Sequence, residues 1–234
     1  MKKLFTFIMG TSLLSGSMIG TSVFAEELVG KEANSNATVS FIAGDDPTNP
    51  LNPVDPDQPL DPTNPSDPAD PNNNGTGQNG PLSIDYVSNI VFGNKKISGV
   101  NQTYENTNTN PYLQVTDKRG NGKGWAVMVA ASQFEGKNEE DKMEVLKGAS
   151  ISFKGGVVKS QSTNNATAPI ASDITLNNAD PKPILNAASD SGQGTWLDVY
   201  PDHSQISLTV PGGVAKTGIE YSSTLTWTLL DTPK

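Results

Sequence analysis

The chain has 234 residues, no cysteine, one histidine, and 25 acidic against 16 basic residues, a net charge of −9. Disulfide scaffolds, thiolate catalysis and cysteine-ligated metals are therefore excluded, and a lone imidazole has no second one with which to hold zinc. The acidic balance leaves no basic surface that could neutralise nucleic acid phosphates.

The N-terminus reads as an export leader. Lys2 and Lys3 precede a mostly apolar, uncharged run from Leu4 to Ile19, and Val23 and Ala25 occupy −3 and −1 of a cleavage site before Glu26. These residues predict a signal peptide over 1–25. The apolar run is short and broken by Gly and Ser, so no membrane span is expected in the mature form. No cysteine for a lipid anchor, L-P-x-T-G sequence or apolar C-terminal tail is present. An exported chain of this kind is expected to leave the cell or to hold to it by contacts alone. Removing residues 1–25 leaves 14 basic and 25 acidic residues, net −11.

Residues 26–43 form a short mature N-terminal segment. Within it, Ala37–Ile42 has a strand pattern with Val39 and Phe41 on one face. Either it pairs back onto the main domain or it belongs to a disordered terminus; the pattern fits both.

Residues 44–80 form an acidic proline-rich linker. Proline recurs at 47, 50, 53, 56, 59, 62, 65, 68 and 71, each preceded by Asp or Asn except at Gln58. Polyproline II has three residues per turn, so the prolines fall in one column and the Asx residues in another. Proline also pushes the residue before it out of the α region. A semi-rigid spacer follows, reaching roughly 75 Å over about twenty-five residues at ~3.1 Å each. Collagen is excluded, because the every-third glycine is missing. The carboxylates lie about a turn apart and alternate with neutral Asn, a poor cation ladder. Asn72–Gly80 ends the segment as a flexible joint. Seven acidic residues and no basic one lie in the linker, whereas 81–234 holds fifteen acidic and thirteen basic, net −2.

Residues 81–234 are long enough for a substantial core. Strands are predicted at 82–87, 90–92, 112–116, 124–132, 149–153, 157–158, 196–200, 207–210 and 218–230, separated by Gly-Asn and Gly-Gly turns. Amphipathic crossover helices are missing, so the expected fold is all-β, an Ig-like or related antiparallel β-sandwich preceded by the extended linker. Ser160–Ser191 reads as long surface loops around one strand near Ile174–Leu176.

Three tryptophans stand out. Trp125, Val127 and Val129 share a strand face, and Ala126, Met128 and Ala130 make the opposite face apolar too, the mark of a central strand. Leu225, Trp227 and Leu229 alternate with Thr224, Thr226 and Thr228, which gives one apolar and one polar face. Both tryptophans read as core anchors or as ring faces lining a glycan or partner surface, and the alternation with Leu and Val favours burial. Trp196, Asp198 and Tyr200 also share a face; they fit a saccharide or peptide site, or a strand start closing one end of the core. Catalysis is not expected. His203 sits beside Asp202 without a G-x-S-x-G nucleophile elbow, no phosphate loop occurs, and Glu139-Glu140-Asp141 reads as a solvated turn. No cofactor and no metal are implied.

The C-terminal stretch Tyr221-Ser-Ser-Thr-Leu225-Thr226-Trp227-Thr228-Leu229-Leu230-Asp-Thr-Pro233 resembles the distal Y-x-x-x-L-T-W-x-L-x-x-x-P signature of the WxL family of Gram-positive surface proteins. Trp125-Ala126-Val127 stands where that family has its proximal W-x-L, with Val127 at the Leu position. Leu82-Ser-Ile84-Asp85-Tyr86-Val87, Phe92-Gly93, Val115-Thr-Asp117-Lys-Arg119-Gly120 and Ser207-Leu208-Thr-Val210-Pro211 extend the resemblance over nearly all of the mature chain. The resemblance implies a secreted, extracellular protein at the cell wall surface. It further implies non-covalent attachment to peptidoglycan or another wall glycan through the C-terminal domain. Trp125, Val127, Tyr221, Leu225, Trp227 and Leu229 are then the binding or fold-signature residues, with Trp196, Asp198 and Tyr200 as additions. Other bacterial surface proteins of the same complex and host proteins are the further partners implied. The alternative reading is a subunit of such a complex, whose domain binds another surface protein and touches the wall only indirectly.

Overall fold

A computed structural model describes residues 33–58, 60, 67 and 69–234. The predicted signal peptide and Pro59, Pro62, Pro65 and Pro68 of the repeat lie outside the described residues. The chain divides at Ser40 and Phe41 into two units. Of the first, residues 33–40 are exposed and carry no strand. In the second, Phe41 and Ile42 are likewise exposed and outside any strand, so the strand pattern of 37–42 is not realised as a strand.

Among the described residues there are fourteen strands and no α-helix. In chain order they are β1 (Leu82–Val87), β2 (Gln102–Glu105), β3 (Tyr112–Asp117), β4 (Trp125–Ala131), β5 (Glu135–Lys137), β6 (Met143–Val145) and β7 (Ser150–Phe153). Then come β8 (Val157–Lys159), β9 (Ile170–Ala171), β10 (Ile174–Leu176), β11 (Lys182–Ala187), β12 (Gly194–Val199), β13 (Ile206–Val210) and β14 (Leu225–Leu230). The expected antiparallel all-β architecture is present. Its strands form three four-stranded sheets, ordered β1-β3-β12-β8, β10-β7-β13-β2 and β14-β4-β11-β9, with β5 and β6 as a separate hairpin.

All three sheets face one core. Ile84, Leu113, Val115 and Trp196 come from the first sheet, Ile151, Phe153, Leu176 and Ile206 from the second, and Trp125, Val127, Val129, Ile184 and Leu185 from the third. The first and third sheets approach each other where β8 meets β9. On the opposite side, between β1 and β14, they stand open, and the half-buried Leu82, Trp227 and Leu229 line the gap.

Several predicted elements differ. Ile90–Phe92 is not a strand: the Asn108 side chain accepts from the Val91 amide at 2.8 Å, and the Val91 carbonyl accepts from Thr107, so no ladder forms. The last strand begins at Leu225 rather than near Gly218. The largest correction concerns Ser160–Ser191, read as loops. It contains β11, whose Ile184, Leu185 and Ala187 are fully buried between β4 and β9. A strand buried on both faces shows no alternation, and proline is disfavoured inside a central strand. A register shift between Pro183 and Leu185 absorbs the proline.

The linker is also not a free-standing spacer over its described first half. Gly44 donates its amide to the Lys118 carbonyl at 3.1 Å. The Gln114 side chain accepts from the Leu51 amide at 2.7 Å and donates to the Asn49 carbonyl at 3.1 Å. Lys159 Nζ donates to the carbonyls of Pro53 and Val54 at 2.8 and 3.0 Å. Leu51 packs on an outer-face cluster of Tyr86, Tyr112, Leu197 and Val199, in which the two tyrosine rings stack at 4.2 Å. Pro53 and Pro56 are buried and Pro50 half-buried. Over Pro50, Pro53 and Pro56 the three-residue period thus turns the prolines toward the domain, whereas Pro47 and Pro71 are exposed. Farther on, Asp67 accepts from Asn108 Nδ2 at 2.6 Å and from the Thr109 amide at 3.1 Å. Asp70 accepts from the Asn89 side chain and amide, both at 2.8 Å.

Arg119 fastens one end of the core. It pairs bidentately with buried Asp117, Nε to Oδ1 at 3.0 Å and NH2 to Oδ2 at 2.8 Å. It also donates to the carbonyls of Gly124 at 2.7 Å and Asp231 at 3.2 Å, joining the ends of β3, β4 and β14. Arg119→Ala leaves a buried carboxylate unpaired and is expected to cost about 3 kcal/mol, read as a lowered urea midpoint; Arg119→Lys, which keeps the charge but loses the fork, should fall in between. Gln114→Ala should leave the core cooperative while raising the hydrogen-exchange rate of the Leu51 amide, since that amide's partner is removed.

Candidate functional site

The residues singled out in the sequence divide by exposure. Trp125 and Val127 are 0% exposed. β4 is the second strand of its sheet, flanked by β14 and β11, and its inward face meets the other two sheets. The Trp125 indole N–H donates to the Gly192 carbonyl at 3.0 Å, and that of Trp196 donates to the next carbonyl, Gln193, at 2.8 Å. One short loop therefore satisfies both buried indoles. Gly192 lies against Trp125 at positive φ; a Cβ there would meet Nε1 at 2.6 Å, so only glycine fits.

Trp196, Asp198 and Tyr200 share a face as predicted, but the face looks inward. All three are buried, and Tyr200 packs edge-on to Phe153 with centroids 5.7 Å apart. No ring is left open for a sugar to stack on. Asp198 lies in the core with its Oδ2 accepting from the Tyr200 hydroxyl at 2.8 Å. Its Oδ1 is one of the buried atoms without a hydrogen-bond partner among the described residues, and the backbone of Gly156 closes over it. Burial pushes the Asp198 carboxyl up to about 7, against a smaller lowering from the Tyr200 bond.

The distal motif lies differently. Trp227 pairs with Val129 at the edge of its sheet and meets Phe153 edge-on at 6.1 Å. Leu225, Trp227 and Leu229 are half-buried against the core, while Thr226 and Thr228 are exposed. Trp227, Thr228 and Leu229, with Gln78, Leu82, Ile84 and Asp231, line a groove of about 380 Å3 at the open side between β1 and β14. Tyr221 belongs to a separate cluster with Leu146, Leu208 and Val210, and its hydroxyl accepts from the Lys216 amide at 3.3 Å. The structure thus places Trp125, Val127, Leu225, Trp227 and Leu229 on one sheet and Trp196, Asp198 and Tyr200 on or beside another, around one core, and leaves Tyr221 in a separate cluster.

A second depression, of about 350 Å3, opens beside the Tyr221 cluster. Leu146, Leu176 and half-buried Phe134 form its apolar floor, and Ser132, Gln133, Lys147, Asn177 and Asn178 supply its polar rim. Amides, a hydroxyl and one ammonium over an apolar floor can hydrogen-bond acetamido and hydroxyl groups while an aliphatic or sugar face rests below. Sequence reasoning missed these rim residues, which lie outside strands; the Asn177-Asn178 pair following a predicted strand was the available signal. Among the described residues no group of three or more His, Asp or Glu side chains could hold a metal ion.

The family model for the WxL domain, described as surface cell wall-binding, matches residues 28–233. The chain belongs to the WxL family. The match covers the N-terminal segment and linker as well as the β-domain, so the docked proline segment falls within the WxL unit. No curated relative and no solved structure matches the chain at a significant level. No helix among the described residues is long and apolar enough to cross a membrane.

The position of Asp198 has a pH consequence. Its folded value, about 7, lies above its ordinary value of 3.8, so between these values the folded state holds the proton more tightly than the unfolded state does. Its stabilising contribution is fully present below pH ~4 and is lost as pH rises through ~7. Urea denaturation from pH 4 to 8 should show a decline in unfolding free energy that flattens in Asp198→Asn.

Proposed function

We propose that the protein is exported and held non-covalently at the Gram-positive cell wall, with the β-domain docking on peptidoglycan through the cleft of Gln133, Phe134, Lys147, Asn177 and Asn178. The observation that carries this reading is the match of nearly the whole chain to a family of surface, wall-binding domains. Trp125 and Trp196 are buried and offer a ligand no open ring face, which favours polar side chains around an apolar floor as the contact. The cleft's amides and its single lysine suit a glycan bearing acetamido groups with short peptide stems. The family description supports a binding module rather than a hydrolase.

A second reading, a complex subunit that binds another bacterial surface protein or a host protein, is favoured by one feature. Ile170, 69% exposed on β9, and Val157, 41% exposed on neighbouring β8, place apolar side chains in solvent.

Purified chain from Glu26 should co-sediment with protein-free sacculi. Gln133→Ala combined with Asn178→Ala should weaken binding about tenfold, the loss of one or two hydrogen bonds, with an unchanged circular dichroism spectrum. Moderate salt should change retention little, because the domain carries a net charge of only −2. Wild type remaining in the supernatant rejects direct wall docking and leaves the second reading.

A further inference from the structure

Strand β14 is an edge without a guard. It is hydrogen-bonded to β4 on one side and, among the described residues, to no strand on the other. Exposed edges are templates for further pairing unless they are short, charged, bulged or covered. The other sheet margins carry such devices. β8, β9 and β10 have two or three residues each, and β2 has four. β1 has a register shift at Ile84/Tyr86, and its free side is covered: the Thr76 amide donates to the Asp85 carbonyl at 2.9 Å, and Gln78 Oε1 accepts from the Ile84 amide at 3.2 Å. β14 alone combines six residues, Leu225-Thr226-Trp227-Thr228-Leu229-Leu230, with no charge, proline, glycine or register shift.

The order of these residues selects the occupant. Leu225-Thr226-Trp227-Thr228-Leu229 reads the same in both directions about Trp227. When two copies of one strand pair antiparallel, residues equidistant from the two-fold axis face each other. With the axis at Trp227, Thr226 meets Thr228 of the second copy, Leu225 meets Leu229, and the tryptophans meet each other. A two-fold interface requires such a self-complementary patch, and Thr–Thr and apolar cross-strand pairs are favourable ones.

We propose that β14 pairs antiparallel with β14 of a second copy, joining two β14-β4-β11-β9 sheets into one eight-stranded sheet. The groove beside β14 supports this. Its lining of Leu82, Ile84, Trp227 and Leu229 lies on the inner side of the sheet, where the added strand directs its own Leu225, Trp227 and Leu229. The second copy thus closes the open side of the core with the same residues that line it. This pairing is independent of wall docking, because it uses β14 rather than the cleft at Gln133 and Asn178.

The test is the solution mass of the chain from Glu26 by light scattering at about 0.1 mM, where an interface with a Kd below about 10 μM is mostly formed. Wild type should have twice the chain mass. Thr226→Lys/Thr228→Lys changes only exposed side chains and sets lysine against lysine across the axis, so it should be monomeric with an unchanged thermal transition. Thr226→Glu/Thr228→Glu should be monomeric too, and an equimolar mixture of the two variants should recover the doubled mass. In wild type, the amides of residues 225–230 that point away from β4 should gain exchange protection as concentration rises. A monomeric wild type overturns the proposal, as does a lysine variant that stays dimeric or a mixture that stays monomeric. A monomer whose outward β14 amides are already protected also overturns it, because another strand then covers the edge.

Discussion

The fold depends on the burial of β4. Trp125, Ala126, Val127 and Val129 have no solvent contact, so the strand needs neighbours on both sides and other layers against its inner face. β11 and β14 supply the sides, while β3, β7 and β12 contribute the residues opposite. An indole here is tolerable only with its N–H bonded, and the Gly192 carbonyl provides that bond at 3.0 Å; left unbonded, the group would cost on the order of 1–3 kcal/mol. The two tryptophan motifs therefore have different fates for one physical reason. The proximal one occupies an inner strand and the distal one a margin, and only the margin keeps part of its ring side near solvent.

The sequence disclosed the strands whose two faces differ in polarity or whose apolar runs are long. β1, β3, β4, β7, β10 and β13 emerged within a residue or two of their bounds, because Val, Ile, Leu and Trp dominate them and glycine turns separate them. β11 was hidden by its proline and its short buried run, and a register shift visible only in three dimensions reconciles them. β2, β5, β6 and β9 were also missed; two to four residues are too few to carry a periodicity. The shared face of Trp196, Asp198 and Tyr200 was legible as geometry, but alternation cannot say whether a face looks inward or outward. The cleft was least legible of all, since its polar rim comes from loops that are distant in sequence and meet only after the sheets have packed.

Polar residues are buried on the outer face of the first sheet, yet they leave few atoms unsatisfied. Asp85 accepts from Ser83 at 2.6 Å, from Gln114 at 2.9 Å and from Thr116 at 2.6 Å, and Thr116 in turn meets Thr195 at 2.8 Å. This network lies under residues 49–51, and Gln114 takes part in both the network and the overlying chain. The tyrosine stack beside it is sealed deeply enough that burial drives the Tyr112 hydroxyl well above its ordinary value. A covering segment rich in proline suits this place, because it loses little conformational freedom on docking.

The attachments of that segment follow one another along the chain: Gly44 on Lys118, Leu51 on Gln114, Pro53 and Val54 on Lys159, then Asp67 on Asn108 and Asp70 on Asn89. They act in series. A pull on the chain ahead of Gly44 loads each bond in turn rather than all at once, as a zipper is opened, and every released residue adds about 3 Å of contour length before tension reaches β1. Peeled from its N-terminal end, the strip would open like a ripping seam, giving way in small steps before the core that holds the tryptophans is loaded.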